Sequence, residues 1–528
     1  MSDRTTTRRA SGGDPGAPRH LPRDRQSGPV TASPWHGLRE KWRRLLDSPQ
    51  LDYKVIMLVT GILVVLGLIV SLSSSMVSAR GDAGDGSVFS QFRRQALIVL
   101  IGLVVMWGAL WVRPARIRAW APGLLFVAVG LLLLVLVIGV GDDIGSRSWI
   151  ALGPLSFQPS EIAKLALSVW GAAAVAVHSR RSRDIKDGLG PFILVSGAIL
   201  VLVYLQHDLG MMLSLALVFL SLLVFSGVAG RVIGVAAGVI AVIGALAITA
   251  MSYRSDRIST WFNALRLDFD DEAGQAAAFQ ARQGLYSLSD GGLLGVGPGQ
   301  SRAKWNYLPE ATNDFVFAII GEELGIIGAG AVVVLFAILG WFGIRTASKQ
   351  TDPFLRLLAA TLTAGIVGQA FYNIGYVCGL LPVTGVQLPL LSAGGTSAVI
   401  TLGTLGLLAN CARHEPETVS SMQHEGRPWI DRVLLLREPT PYTSGAEHRE
   451  QVRPQPRRYG DPVTHRASPR SGDLAERRRL PGDGRERRDT RSRDRRAGYR
   501  DTPERGDPHR SRQPRQNRTD EPRRRPRP

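Results

Sequence analysis

Long apolar runs separated by short polar connections fill the centre of the chain, and this alternation stops near both ends. Runs of about 20 apolar residues are long enough to cross a bilayer as α-helices. The pattern therefore predicts an all-α polytopic membrane protein with ten transmembrane helices. The predicted spans lie at 54–75, 95–112, 120–140, 158–178, 190–206, 209–227, 231–251, 313–343, 355–376 and 393–411.

The connections differ in charge, and this difference predicts the orientation of the bundle. Basic residues concentrate in the N-terminal tail and in the connections 113–118, 178–187 and 345–356, which share one face when ten spans alternate. Because cytoplasmic loops carry an excess of Lys and Arg, we expect both termini in the cytoplasm. The longest connection, 252–312, then forms a large extracellular loop between helices 7 and 8, with short amphipathic helices and Gly-rich turns.

Polar tails are predicted before and after the membrane domain in the sequence. We expect a basic, disordered N-terminal tail at 1–50, a ten-helix membrane domain at 51–412 and an Arg-rich, disordered C-terminal tail at 413–528. Residues 451–528 hold 25 Arg against 12 Asp and Glu, within a net charge of +19 for the whole chain. Too few aliphatic residues remain there to offset the conformational entropy of an ordered fold.

The Arg-rich tail has two open interpretations. It either lies against the anionic inner leaflet of the membrane or docks an acidic cytoplasmic partner. Nucleic-acid binding is not expected, because the tail lacks the regular interleaving of aromatic residues that stacks on bases.

Polar residues interrupt the apolar pattern in the first half of the bundle. Glu161 and Lys164 are three residues apart on the span 158–178, so they share a helix face and can pair. They form either an interfacial ion pair or the polar wall of a cavity in which Lys164 meets a phosphate. Asp208 follows at a tight turn between two spans, where its simplest role is to cap the next helix.

Four carboxylates interrupt the eighth predicted span in "LPEATNDFVFAIIGEELG", 308–325. Glu310 lies in the approach to this span and Asp314 at its outer end, within reach of a substrate in the outer leaflet. Glu322 and Glu323 lie about 12 Å deeper at 1.5 Å per residue, and we expect them to have structural partners such as a basic group. Asp314 is the candidate for chemistry, with a helix-capping role as the alternative.

The stretch "LLPVTGVQLPLLSAGGTSAVITLG", 380–403, contains prolines and glycines that prevent a regular helix at membrane depth. Irregular backbone is tolerated there only where protein buries it or where it lines a wet cavity. The segment from Ser392 to Ser397 offers hydroxyls and a helix N-terminus, which suits an anion such as a pyrophosphate.

Four motifs, "SFQPSEIAKL", "QHDLG", "LPEATNDFVFAIIGEELG" and "LPVTGVQLPLLSAGGTS", occur in this order. Together they resemble the SEDS family (shape, elongation, division and sporulation) of peptidoglycan glycosyltransferases, over roughly residues 50 to 412. The wording "LPEA" and the basic tails favour the division-type branch. The resemblance implies polymerisation of lipid II into β-1,4 glycan strands at the outer face of the cytoplasmic membrane, with release of undecaprenyl pyrophosphate, during septal cell wall synthesis.

The resemblance also implies roles for individual residues. The family's essential carboxylate falls on Asp314, which is expected to act as general base on the acceptor hydroxyl. The chain departs from the family pattern at Thr312 and Asn313 (commonly His-Thr), His207 (Pro) and Ala393 (often aromatic). The residues that match its polar, substrate-binding cavity are Arg94 with Gln95, Glu161, Lys164, Lys304, Glu310, Ser392, Gly394 and Gly395.

Partners and location follow from the same resemblance. It implies a class B penicillin-binding protein and other divisome proteins as partners, and the acidic tail of the ring protein FtsZ suits the Arg-rich tail. We expect a multi-pass protein of a bacterial cytoplasmic membrane, enriched at the division septum. No cofactor is assigned, and a divalent cation stays open, since no dense Asp cluster would fix a metal. A lipid II flippase or transporter and a non-enzymatic divisome scaffold are the competing functions.

Overall fold

The computed structural model describes residues 48–81, 90–141, 146–152, 155–178, 189–249, 252–266, 275–302, 304 and 312–442. The predicted N-terminal tail up to residue 47, the chain after residue 442 and Glu310 lie outside the described residues. A short antiparallel hairpin joins β1 (Ile150–Leu152) to β2 (Leu155–Phe157), with Ala151 opposite Ser156. The helices are α1 Leu51–Gly81, α2 Ser90–Trp111, α3 Pro114–Ile138, α4 Pro159–His178, α5 Gly190–Leu205, α6 Leu209–Ser226, α7 Gly230–Thr249, α8 Ser252–Leu265, α9 Gln275–Asp290, α10 Val316–Lys349, α11 Pro353–Val377, α12 Gly395–Arg413, α13 Pro416–Glu425 and α14 Trp429–Val433.

Each of the predicted spans overlaps a helix. Within the described ranges, eight helices are long and apolar enough to cross a membrane: α1, α2, α3, α4, α6, α10, α11 and α12. The spans predicted at 190–206 and 231–251 correspond to the shorter apolar helices α5 and α7. The prediction of an all-α polytopic membrane protein is confirmed, and the count of ten crossing helices stays a prediction.

The centre of the bundle is formed by α11 and α12. Both are mainly buried, whereas α3 and α10 expose most of their apolar surface. α11 packs against α4, α6 and α10, and α12 packs against α2. A Cβ atom on Gly406 of α12 would lie 2.7 Å from the carbonyl oxygen of Met106 in α2. Small residues permit this close approach, which matters in lipid because apolar surfaces alone give helices no reason to associate.

The eighth predicted span is a broken helix rather than a continuous one. In α10, Gly325 has φ 68° and ψ −170°, which interrupts the helical hydrogen bonds. The Gly-rich segment 291–297 fills the break, because it supplies the partners that the two helix halves lack. Four backbone hydrogen bonds of 2.9 to 3.3 Å join them, from N–H donor to carbonyl acceptor: Val296 to Glu322, Gly297 to Glu323, Ile326 to Gly292 and Ile327 to Leu293.

Helical structure continues past residue 412, which is the predicted end of the membrane domain and the predicted start of the disordered tail. Residues 414–442 continue as an ordered segment that contains α13 and α14. Its anchor is Asp431, which is 0% exposed, pairs with Arg413 at 2.7 Å and accepts a hydrogen bond from the Tyr53 hydroxyl at 2.7 Å. The polar composition of this segment gives no apolar pattern from which to predict it. A few buried side chains, such as Met422 and Leu436, pack it against the rest of the protein.

A cluster of charges lies where α1, α10 and α13 meet. The Lys349 ammonium is 3.0 Å from Asp52 and 3.8 Å from Glu415, and both of these acids are buried. The exposed Glu417 lies 3.4 Å from the same ammonium, and Arg345 lies 3.5 Å from Asp52. Burial, and to a smaller extent the nearby Asp52 charge, raises the pKa of Glu415 to about 8.

Replacing Gly325 by Ala is expected to destabilise the protein by about 2 kcal/mol or more. An alanine there would have to adopt the positive φ of 68°, which only glycine adopts readily, and its Cβ atom would overlap the backbone of Leu293 and Gly295. Gly330→Ala, on the same helix with open space around its Cβ position, is the control and should be neutral or slightly stabilising. Thermal unfolding in detergent measures both, and equal midpoints for the two variants would contradict the inserted-loop account.

Glu415→Gln is expected to flatten the pH dependence of stability. A raised pKa means that the folded state favours the protonated acid, so the Glu415 contribution is full below its ordinary pKa of 4.5 and is lost as pH rises to about 8. Thermal unfolding from pH 5 to 8.5 should therefore show a smaller decline in the variant. Glu417→Gln should retain the wild-type decline, because that side chain is 65% exposed.

Candidate active site

Asp314 lies in a turn whose backbone is fixed residue by residue. The carbonyl oxygen of Thr312 accepts a hydrogen bond from the Ala393 N–H at 3.0 Å. The carbonyl oxygen of Asn313 accepts one from the Ser392 hydroxyl at 2.6 Å. Side chains of α11 bind the carbonyl oxygen of Asp314 as well, so three successive carbonyls are held by hydrogen bonds. The turn therefore enters α10 in a defined position.

Two side chains of α11 clamp the Asp314 backbone to the irregular segment 380–394. The Asn373 amide and the Tyr376 hydroxyl each lie 2.9 Å from the carbonyl oxygen of Asp314, and each also lies 2.7 Å from that of Val386. The amide also donates to the hydroxyl at 2.6 Å, so the three hydrogens of these two side chains serve this network. The clamp binds the main chain and leaves the Asp314 carboxylate to face the turn at Gly385.

Gly385 keeps the space beside the carboxylate open. Its φ is 80°, a left-handed conformation that favours glycine, and a Cβ atom built on it would lie 3.5 Å from Oδ2 of Asp314. Gly385 is exposed and Asp314 is partly exposed, so this turn lies at the edge of the buried region. Asp314 is therefore partly exposed while its backbone is held in place.

Glu161 and Lys164 form a buried polar network on α4. The Lys164 ammonium lies 2.8 Å from Glu161 Oε2 and donates to Gln369 Oε1 at 2.6 Å. The Ser397 hydroxyl donates to Glu161 Oε1 at 3.2 Å. A cavity of about 20 Å³, room for one water molecule, lies beside the pair. Glu161 and Lys164 therefore form an ion pair that also lines a small cavity, and a phosphate contact of Lys164 stays a prediction.

The Asp314 turn and the Glu161–Lys164 pair are linked through one face of α11. Gln369 and Asn373 are four residues apart, which places them about 6 Å apart along the same helix face. Gln369 donates to the Gln387 carbonyl at 2.9 Å, one residue after the carbonyl that Asn373 binds. A rigid stripe of amides thus holds the irregular segment against both predicted site elements.

Two glycines lie at the predicted anion site, where the irregular segment ends and α12 begins. Gly394 is the N-cap of this helix, and a Cβ atom there would overlap the side-chain amide of Gln387. Gly395 begins the helix beside Ile98 of α2. Gln95 is buried on α2 and its neighbour Arg94 is exposed. Hydrogen bonds of the described residues join Ser392 to the Asp314 turn, whereas Arg94 is not joined to it.

Lys304 is placed apart from this network, because its ammonium is engaged elsewhere. It is buried, pairs with Glu323 at 2.7 Å and donates to the Ser73 hydroxyl at 2.8 Å. Glu322 accepts hydrogen bonds from the Ser301 hydroxyl and the Arg302 N–H, both at 2.6 Å. The expectation that Glu322 and Glu323 have structural partners is confirmed, and the basic group is Lys304.

Asp208 caps α6, as its position at a tight turn predicts. Its carboxylate accepts from the Met211 N–H at 3.0 Å and from the Gln158 amide at 2.9 Å. Burial raises the pKa of this carboxyl above its ordinary value, although the hydrogen bonds oppose the rise. Within the described part of the chain, no group of three or more His, Cys, Asp or Glu side chains is arranged to hold a metal ion.

Comparison with known proteins identifies the family. The FtsW/RodA/SpoVE model, described as "Cell cycle protein", matches residues 53–417. The chain belongs to the FtsW/RodA/SpoVE family. It is 40% identical over 435 residues, 81% of each chain, to the probable peptidoglycan glycosyltransferase FtsW of Mycobacterium tuberculosis. It is 36% identical over 384 residues to stage V sporulation protein E of Bacillus subtilis, which covers 70% of this chain and 98% of that one.

Solved structures share the fold of this FtsW/RodA/SpoVE family member. A chain from a structure described as "Structural coordination of polymerization and crosslinking by a peptidoglycan synthase complex" matches with a TM-score of 0.55 and 26% identity. That match covers 68% of this chain and 97% of that one. The rod shape determining protein RodA of Thermus thermophilus matches with a TM-score of 0.50 and 25% identity, over 68% and 96% of the two chains. The resemblance inferred from the four motifs is thereby confirmed.

Sequence reasoning missed the amide stripe that organises the site of this FtsW/RodA/SpoVE protein. Gln369, Asn373 and Tyr376 occupy positions i, i+4 and i+7 of α11, inside an apolar span. That spacing places polar groups on one helix face, which is a detectable signal of a buried hydrogen-bonding surface. Their acceptors in the Asp314 turn and in the irregular segment are backbone carbonyls, which carry no mark in the sequence.

Tyr376→Phe is expected to lower the free energy of unfolding by about 1 to 3 kcal/mol, because a buried network loses a donor. Tyr372→Phe is the matched control. Tyr372 contacts the Tyr376 ring edge-on and donates to the Pro382 carbonyl at a longer 3.4 Å, so its loss should matter less. Thermal unfolding of the two variants in detergent measures the difference, and a larger effect at Tyr372 would refute the clamp.

Proposed function

We propose that this chain is a division-type peptidoglycan glycosyltransferase. In this proposal it polymerises lipid II into β-1,4 glycan strands at the outer face of the cytoplasmic membrane and releases undecaprenyl pyrophosphate. The observation that carries the proposal is the position of Asp314, a partly exposed acid on a turn that is fixed through its main chain. Support also comes from the Mycobacterium tuberculosis relative, whose name is probable peptidoglycan glycosyltransferase FtsW.

The chemistry requires inversion at the anomeric carbon, since an α-linked pyrophosphate donor gives a β-linked product. A single displacement is the simplest route, and it needs a base to take the proton from the acceptor hydroxyl. We assign this role to Asp314. A base must stay within hydrogen-bond reach of its proton, so rigid carbonyl anchors on either side of Asp314 suit the task.

Departure of the pyrophosphate builds negative charge, which nearby cations and helix N-termini would stabilise. Lys164 is suited to this role because its ammonium lies on a network that reaches the irregular segment through Gln369. Arg94, Ser392 and the α12 N-terminus at Gly394 and Gly395 complete the proposed binding surface. Glu310 stays a proposed substrate contact. Lys304 would have to exchange its Glu323 partner for a phosphate, so we give it a smaller part.

A lipid carrier is the second candidate function. Buried acid–base pairs and an interrupted helix such as α10 are also features of transporters. The break at Gly325 argues for a fixed structure here, because the inserted segment satisfies its backbone groups. We therefore favour the enzyme over the carrier and over a scaffold without activity.

Partners and location belong to the same proposal. A class B penicillin-binding protein would cross-link the new strands, and one solved structure with this fold comes from a peptidoglycan synthase complex. Other divisome proteins would hold the pair at the septum. Both termini would lie in the cytoplasm, where the Arg-rich residues after 442 would meet an acidic partner such as the FtsZ tail.

Asp314→Asn is expected to lower the rate of glycan polymerisation by about 100-fold or more, since the amide cannot accept the proton. The fold should persist, because the clamp binds the carbonyl oxygen of residue 314. The measurement is the yield of glycan ladders from lipid II by purified protein, with and without its cognate class B penicillin-binding protein. Asp290→Asn, an exposed acid at the end of α9, should retain wild-type activity.

Two outcomes would reject parts of this proposal. Full polymerisation by a folded Asp314→Asn protein would remove Asp314 as the base. Movement of fluorescent lipid II across vesicles by wild-type protein that makes no ladders, even with its partner, would favour the carrier.

A further inference from the structure

An apolar groove runs along one face of α1 and is bounded on its other side by α14. Its volume is about 700 Å³, within the range of roughly 300 to 1,000 Å³ that is typical of ligand sites. Residues 57–69 form one wall and residues 429–434 the other, and every lining residue is apolar or glycine. At 1.5 Å per residue, the α1 wall is about 18 Å long.

The second wall is held in place, so the groove is preformed. Asp431 of α14 is 0% exposed and pairs with Arg413. The Trp107 indole of α2 donates to the Leu434 carbonyl at 2.9 Å. Both contacts lie outside the groove lining or on its backbone, so the apolar side chains remain available to a ligand.

A cation stands at one end of the groove. Lys54 is exposed and precedes Leu58, Gly61 and Val65 by four, seven and eleven residues, so all four occupy the same face of α1. Lys54 is therefore one helical turn, about 6 Å, beyond the apolar lining. Trp429, which is 68% exposed on the opposite wall, has the amphipathic ring that is enriched at membrane–water interfaces.

We infer that this groove binds one anionic phospholipid, with an acyl chain along residues 57–69 and the phosphate beside Lys54. The groove opens toward the bilayer, because Leu58 and Val65 are 62% and 57% exposed on a membrane-spanning helix. A charge at one end of an otherwise apolar channel matches the polarity of such a lipid. The inference does not depend on the proposed glycosyltransferase activity.

Gly61 allows a direct test, because a Cβ atom built on it meets nothing within 4 Å. Gly61→Phe should place an aromatic ring in the groove, and its Cβ atom overlaps no protein atom. Native mass spectrometry of the full-length protein, titrated with phosphatidylglycerol or phosphatidylcholine of equal chain length, measures the bound lipid. We expect Gly61→Phe to weaken phosphatidylglycerol binding about tenfold through lost apolar contact. Lys54→Gln should remove most of the preference for phosphatidylglycerol, whereas Lys54→Arg, which keeps the positive charge, should retain it.

Gly130→Phe is the matched control, since Gly130 is also exposed on a membrane helix and has open space at its Cβ position. Trp429→Ala is a second variant that should weaken lipid binding. Because the Trp429 side chain is exposed, this substitution should not unfold the protein. Equal phosphatidylglycerol binding by wild type, Gly61→Phe and Gly130→Phe would overturn the inference. So would unchanged lipid binding by Gly61→Phe together with loss of a co-purifying membrane protein, because the occupant would then be a protein helix.

Discussion

The requirement that every backbone polar group finds a partner inside the membrane governs this structure. Lipid offers no hydrogen bonds, so a helix can be interrupted only where another segment supplies the missing donors and acceptors. The break at Gly325 is tolerated because residues 291–297 provide these donors and acceptors. The irregular segment 380–394 follows the same rule, since Gln369, Asn373 and Tyr376 bind its carbonyls.

The same constraint gives the candidate base its rigidity. Thr312, Asn313 and Asp314 each present a carbonyl that helical hydrogen bonding does not satisfy, and each is bound by a group from α11 or from the segment beside α12. The side chain of Asp314 is then positioned by its own main chain. The contacts that hold this residue therefore fall on its main chain, and the proposed chemistry falls on its side chain.

The sequence predicted the features that depend on composition and local spacing. Apolar runs located the helices, the turn at Asp208 indicated a cap, and depth separated Asp314 from Glu322 and Glu323. The rest depends on contacts between distant segments. The fit of Gly295 against Gly325 and the docking of Asp431 on Tyr53 join residues far apart in the chain, and a polar segment such as 414–442 gives no apolar periodicity to detect.

The Tyr53–Asp431 contact joins the first span to the last helix of the described residues, across 378 residues of sequence. At 5 to 20 residues per second, the ribosome would take roughly 20 to 75 s to make the second partner after the first. During that interval the Tyr53 hydroxyl lacks its acceptor, and Arg413 enters the bundle shortly before its own counter-ion. Closure of the bundle at this end is therefore among the last events of its biosynthesis, and a nascent chain released before residue 431 would lack the carboxylate that pairs with Arg413.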